Sequence, residues 1–310
     1  MNIIQRIDHL TELKPEQLSE TPPAPTSCKI GLTDRCNFKC KYCAHSKIEH
    51  ARDMDYQLFT EIMVKLRTAG VSQLGLFYLG ESLLLPWLGM AIRDAKAAGF
   101  TNVFCTTNGS LATAPIVEHL MDAGLNSLKF SLNYDTREQM ADVAGVDPNV
   151  WEKVNRNIAA AREIRDTMGY KCELSASHIK FNGEQGERMN ARIDNLLPYL
   201  DNVYQLPLYN QAGEAPGDPG WTPIQGNPGR VGAERHPIPC WVLFAQGHIT
   251  VDGKLSMCCF DHCRQFIAGD LTTGSFMDAW HSETFKALRR AHLAGDVSNT
   301  ACRDCITSLS

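Results

Sequence analysis

The segment "TDRCNFKCKYC", Thr33 to Cys43, places Cys36, Cys40 and Cys43 at C-x3-C-x2-C spacing with no fourth thiol close behind. Three thiolates from one loop can hold three irons of a 4Fe–4S cluster, since cysteine is the usual ligand. The fourth iron is then left open, and an open position is what a metal needs to bind a small molecule directly. A zinc site with a remote fourth ligand, such as His45, is the alternative. Zinc ligands usually come as short-spaced Cys pairs with a second pair at a distance, a grammar this loop fits poorly.

Twelve cysteines occur in the 310 residues. Cys28, Cys105 and Cys172 stand alone in apolar stretches and read as small core residues. The others gather in the tail: Cys240 before a hairpin signal, Cys258 after it, and Cys302 and Cys305 as a C-x2-C. A hairpin plus a helix is a small unit that can gather these four thiolates around one further cluster. A zinc ribbon is the alternative there, because C-x2-C is also zinc grammar. Cys259 and Cys263 are surplus to a closed site, as bystanders or alternative ligands. Cys259 is also a candidate hydrogen-atom donor to a substrate radical, a role that needs an accessible thiol.

These residues must be positioned by the elements around them. Strand-length apolar runs at Cys28–Leu32, Gln73–Leu79, Asn102–Thr106, Ser127–Leu132, Lys171–Ile179 and Asn202–Leu208 alternate with amphipathic stretches at Tyr56–Ala69, Pro86–Ala98, Ala112–Ala123, Val150–Met168 and Glu187–Leu200. The alternation predicts an α/β fold with repeated βαβ units around a parallel sheet. Six strands are too few for an eight-fold barrel, so a partial (β/α)6 barrel is expected, followed by a small C-terminal hairpin-plus-helix iron–sulfur domain. The expected boundaries are 1–27 for an N-terminal extension, 28–209 for the barrel, 210–239 for a Gly/Pro-rich linker or substrate loop, and 240–310 for the auxiliary domain. Asp252-Gly253 marks the hairpin turn, and Ser275–Gly295 reads as one amphipathic helix stopped by glycine. Polar motifs follow the strands: the cysteine loop, Gly80-Glu81, Thr107–Gly109, Ser131–Asn133, Asn182 and Tyr209-Asn210. In barrel-like α/β folds the active site is built at those carboxyl ends. Trp221 and Arg230 of the Gly/Pro-rich segment are candidate substrate contacts.

Composition is ordinary for a globular chain, with 44% hydrophobic and 21% charged residues. A net charge of −5 argues against nucleic acid or an anionic membrane as main partner. No apolar run approaches the roughly 20 residues of a spanning helix, and charges interrupt the first residues, unlike a signal peptide. A cytoplasmic protein is expected, in a compartment where structural disulfides are rare.

The C-x3-C-x2-C loop after a first strand resembles the signature of the radical S-adenosylmethionine enzymes. That resemblance implies that S-adenosylmethionine chelates the open iron and is cleaved to a 5′-deoxyadenosyl radical that abstracts hydrogen from substrate. It implies a flavodoxin- or ferredoxin-type electron donor as partner. It places Tyr42 beside the adenine and gives Gly80 and Glu81 of "YLGES" the methionyl amino group, as in the family's Gly-Gly-Glu element. Ser131 and Asn133 match a position that contacts the ribose or methionyl carboxylate. The tail, C-x17-C with "GDLTTGSFMDAW" and C-x2-C, resembles the SPASM domain of radical enzymes in its shortened twitch form. Its spacing is similar to that of the 2-deoxy-scyllo-inosamine dehydrogenase family. The implied set is Cys240, Cys258, Cys302 and Cys305 on one auxiliary 4Fe–4S cluster that accepts an electron.

Together these expectations describe a radical oxidoreductase that oxidises a carbinol carbon of a small polyol, sugar or cyclitol. Asp261 is the first candidate for taking the hydroxyl proton, ahead of His262, Tyr209, Glu214 and Glu49. His178 and His248, within apolar strand patterns, read as packed histidines. Rival readings are a redox-neutral epimerase using Cys259 and a peptide maturase. Against the maturase, only 27 residues precede the first strand, too few for an added peptide-binding domain. A non-catalytic iron–sulfur or zinc sensor is the reading outside enzymology.

Overall fold

The alternating βα pattern folds into one sheet. In the computed structural model, which describes residues 1–215 and 236–306, β1 (Ser27–Ile30), β2 (Gln73–Gly75), β3 (Asn102–Thr107), β4 (Ser127–Ser131), β5 (Glu173–Ile179) and β6 (Asn202–Leu206) are parallel and adjacent in chain order. Leu74, Val103, Leu128 and Leu174 are fully buried in them, as expected for parallel strands covered on both faces. The crossovers are helical: α2 (Tyr56–Thr68), α3 (Leu88–Ala97), α4 (Ala114–Asp122), α5 (Arg137–Ala144), α6 (Val150–Met168) and α7 (Gly183–Leu196).

The C-terminal segment does not form a sheet of its own. After α8 (Val242–Ala245), β7 (Gln246–Ile249) pairs in parallel with β1, and β8 (Lys254–Ser256) and β9 (Ile267–Asp270) continue the same sheet antiparallel. The hairpin turn falls at Asp252-Gly253, where Gly253 takes φ +77°, a conformation glycine adopts without a Cβ penalty. The expected single helix over 275–295 is two, α9 (Phe276–Trp280) and α10 (Glu283–Leu293), followed by α11 (Arg303–Ile306). Ser275 and Ser282 each cap a new helix by accepting from a backbone N–H, Asp278 and Phe285 respectively, so the second serine restarts the helix.

Two arginines tie the tail to the segments before it, one to the N-terminal extension and one to the barrel. Arg289, fully buried, donates to the carbonyls of Leu243 (2.9 Å), Trp280 (2.7 Å) and Glu20 (3.0 Å). Arg264 bridges Asp34 of the cysteine loop (2.8 Å) and Asp252 of the hairpin turn (2.9 Å).

The N-terminal extension holds an unexpected element, α1 (Ile3–Thr11), capped by Asn2 and Gln5 in a reciprocal box. It packs against β6 and α8 and closes one end of the partial barrel. No helix among the described residues is long and apolar enough to cross a membrane. Trp221 and Arg230 lie outside the described residues, as does most of the Gly/Pro-rich segment.

Candidate active site

The loop after β1 is held open over the strand ends by backbone contacts from several sides. Lys39 N–H and Lys41 N–H donate to the carbonyls of Ala144 and Val143 at the end of α5 (2.8 and 2.9 Å). Gln211 grips the other side, accepting from Ala44 N–H at 3.0 Å and donating to the Tyr42 carbonyl at 2.9 Å. His45 Nε2 is engaged with the Asp34 carbonyl at 2.6 Å and helps fix the loop. The result is that Cys36, Cys40 and Cys43 line one cavity of about 430 Å³.

Burial pushes the Cys36 thiol up to about 11 and the Cys43 thiol up to about 12, and raises Cys40 as well. Desolvated thiols of this kind become ligands when a metal supplies the compensating positive charge. Three soft donors on one loop, opening onto a cavity large enough for a small molecule, fit an open iron–sulfur site. No three His, Cys, Asp or Glu side chains among the described residues converge as a single-ion site.

Tyr42, Gly80, Glu81, Ser131 and Asn133 line the same cavity. Gly80 is fixed by close approach: a Cβ there would stand 2.3 Å from the Thr33 carbonyl oxygen and 2.6 Å from that of Arg35. Glu81, 3% exposed, accepts from Asn108 N–H (2.8 Å), Thr107 Oγ1 (3.1 Å) and Leu83 N–H (3.1 Å). Burial nevertheless raises its carboxyl to about 7, so a cationic partner in the cavity would favour its ionised form. The Tyr42 hydroxyl accepts from Asn133 Nδ2 at 2.9 Å and lies 3.3 Å from that of Tyr134, which in turn is 2.9 Å from Cys40 Sγ.

The four tail cysteines form a second group. Burial raises the Cys240 thiol, and Cys302, Cys305 and Cys258 raise it further through their own charge, so the four occupy one neighbourhood. Four soft donors in one partly buried neighbourhood fit a closed cluster. Cys259 stands between the groups: it follows Cys258 in the chain, raises that thiol through its proximity, and lines the cavity with Phe260. Cys263 is exposed and lies near Glu214 and Lys47 instead.

Asp261, expected to take the hydroxyl proton, does not line the cavity. Its carboxylate accepts from Ser256 Oγ (2.7 Å), Gln265 N–H (2.6 Å) and Phe266 N–H (3.2 Å), and it anchors the 256–266 loop rather than facing the cavity. Its 2% exposure follows from that anchoring. Glu214 pairs with Lys47 and Gln265, Tyr209 packs on Phe260, and Glu49 is exposed. His262 meets the Phe260 carbonyl at 3.0 Å and His178 that of Ile179 at 3.0 Å. His248 is fully buried against Tyr78, and neither ring nitrogen has a partner among the described residues.

Sequence reasoning missed the far end of the cavity, where Arg6, Lys29, Lys129, Phe77, Phe104 and Tyr204 line the wall. The period-2 position of Lys29 in β1 and of Lys129 in β4 is the signal: each points inward from a strand of a curved sheet.

Residues 30–172 match the radical SAM superfamily, and residues 240–306 match SPASM, an iron–sulfur cluster-binding domain. The chain is a radical SAM protein with a SPASM module. Its cofactors are accordingly a 4Fe–4S cluster with S-adenosylmethionine and auxiliary iron–sulfur ligation in the tail. Among curated relatives, this radical SAM protein is 33% identical over 168 residues to a probable GTP 3′,8-cyclase of Metallosphaera sedula, a match covering 52% of this chain and 49% of that one. The chain thus spans about half the length of that relative. Its fold is that of BtrN in complex with AdoMet and 2-DOIA (TM-score 0.59, 16% identity, 91% of this chain and 92% of that one). It is also that of Streptococcus suis SuiB bound to precursor peptide SuiA (TM-score 0.64, 15% identity, 86% and 67%).

Proposed function

We propose that this radical SAM enzyme oxidises a carbinol carbon of a small hydroxylated substrate. The substrate would lose one hydrogen atom, one electron and one proton, and its C–O single bond would become a carbonyl. When bound, the reducing cluster with S-adenosylmethionine supplies a carbon radical that takes the hydrogen atom, and the auxiliary cluster supplies a one-electron sink. Cys36, Cys40 and Cys43 would hold the first, Cys240, Cys258, Cys302 and Cys305 the second. Gly80 and Glu81 would receive the methionyl ammonium, and Tyr42, Ser131 and Asn133 the adenosyl end. A flavodoxin- or ferredoxin-type protein would provide the electrons.

The observation that carries this reading is the single cavity lined both by the three loop cysteines and by Cys259-Phe260, directly after the auxiliary ligand Cys258. A substrate held there is flanked by hydrogen-atom abstraction on one side and an electron acceptor on the other. The same observation favours one second reading. Because the Cys259 thiol faces the cavity, it can return a hydrogen atom and make the reaction a redox-neutral epimerisation. GTP, named for the Metallosphaera relative, is the third substrate to set against these.

The test is anaerobic turnover with reductant and S-adenosylmethionine, reading 5′-deoxyadenosine against polyol, sugar and GTP candidates in deuterated water. A ketone formed one-to-one with 5′-deoxyadenosine supports the dehydrogenase. Solvent deuterium at an inverted carbon, abolished by Cys259→Ser, would replace it with the epimerase. A cyclised nucleotide would replace both.

A further inference from the structure

Three elements each send a cation into the end of the cavity away from the loop cysteines. From α1, the Arg6 guanidinium lies 4.5 Å from the Phe104 ring centroid. From β1, Lys29 Nζ lies 5.2 Å from that of Phe77. From β4, Lys129 Nζ lies 5.7 Å from that of Tyr204 and donates to its hydroxyl at 3.3 Å. No carboxylate among the described residues stands within ion-pair distance of any of the three. Glu81, the carboxylate on the cavity wall, is taken by three donors at the opposite end. Glu173, whose charge reaches Arg6, is bound by Ile3 N–H and Asn202 Nδ2, each at 2.9 Å.

Gathering three like charges away from water is costly. A ring face returns only about 0.5–2 kcal/mol to each cation. Burial lowers Lys29 to about 8, outweighing the nearby Cys259 thiol, and lowers Arg6 against the pull of Glu173, the direction of cations short of counter-charge. A second observation points the same way. Gln246 lines this cavity and is 3% exposed, yet its Oε1 has no partner, an acceptor left for a hydroxyl or acid proton of something bound.

We propose that this end of the cavity is an anion subsite, and that the substrate carries a carboxylate or phosphate held by Arg6, Lys29 and Lys129. The inference rests on the reading of the cavity as the substrate chamber. Held at that end, the anion directs the remainder of the molecule toward Cys36, Cys40 and Cys43 at the other. The aromatic rings that stack on the cations supply the apolar wall for its carbon skeleton. A polyol, sugar or cyclitol without an acidic group would leave this cluster of cations without an added counter-charge.

The test is equilibrium dialysis of the reconstituted enzyme with S-adenosylmethionine present, using inorganic phosphate, malonate and neutral myo-inositol as probes. One anion is expected to bind and myo-inositol not. The tighter of phosphate and malonate identifies the source of the oxyanion. Affinity is expected to fall at least tenfold in Lys29→Met/Lys129→Met and to fall by a smaller factor in each single variant. The single variants, checked for wild-type iron content and circular dichroism, keep the test decisive if the double variant misfolds. Anion binding that is absent, or unchanged in the variants, overturns the subsite. Cleavage of S-adenosylmethionine by the wild-type protein, measured in parallel, separates that failure from failure of the radical reading itself.

Discussion

Gly80 and Glu81 show what a single residue does when two loops must meet. Gly80→Ala would push a methyl group into the carbonyls of Thr33 and Arg35, and neither backbone group can step aside without moving the cysteine loop. Loss of at least half of the loop-bound iron is expected, read by iron analysis of reconstituted protein. Glu81→Gln is expected to weaken S-adenosylmethionine binding by tenfold or more, because an amide cannot satisfy three donors and also receive an ammonium. Cys258 and Cys259 separate in the same way: Cys258→Ser is expected to lose about half the iron and Cys259→Ser to keep it. The grouping of Cys36, Cys40 and Cys43 with Gly80 and Glu81 on one cavity was legible because each motif lies in local spacing after a strand. Closeness of Asp261 to Cys258 in sequence does not say which way its carboxylate points, and three donors in its own loop bind it. Lys29 and Lys129 were passed over, because their period-2 positions show a direction and not a shared destination. Each is an isolated lysine in a strand, and only sheet curvature brings them together.

At the level of elements, most strand starts and the hairpin turn followed from apolar runs and Asp252-Gly253, but α1 was hidden among first residues whose apolar runs are interrupted by charges. Its signal was present: Asn2 and Gln5 at capping-box spacing, then Ile3, Ile7 and Leu10 on one face. The helix is too short to stand alone, so its existence depends on the barrel end it covers. Asn2→Ala is expected to cost about 1 kcal/mol, seen as a lower unfolding midpoint in denaturant. Arg289 joins three segments through carbonyls of Glu20, Leu243 and Trp280. Arg289→Met would strand all three acceptors, at a cost of about 2–4 kcal/mol. The break at Ser282 was missed because the apolar period continues across it, while the serine hydroxyl rather than the pattern decides where α10 begins.

Across the whole molecule, the tail strands complete the barrel sheet, so the two cysteine groups share one core and their stability is common. Burial holds His262 down to about 4, against about 6.5 in an unfolded chain. Between those values the unfolded chain binds a proton that the folded one refuses, so stability falls as pH drops through that window. The loss reaches about 3 kcal/mol near pH 4. His262→Gln is expected to flatten that part of the pH–stability curve relative to wild type, measured by thermal unfolding at stepped pH.

Two separate thiol groups would each hold a cluster, one lining the cavity and the other reaching it only through Cys259-Phe260, next to Cys258 in the chain. Iron and sulfide per chain after anaerobic reconstitution, compared between wild type and Cys36/Cys40/Cys43→Ala, address this most directly. About eight irons falling to about four, with matching sulfide, is the expected result. About four falling to none, with zinc in the tail, would contradict the account and remove the electron acceptor on which the proposed oxidation depends.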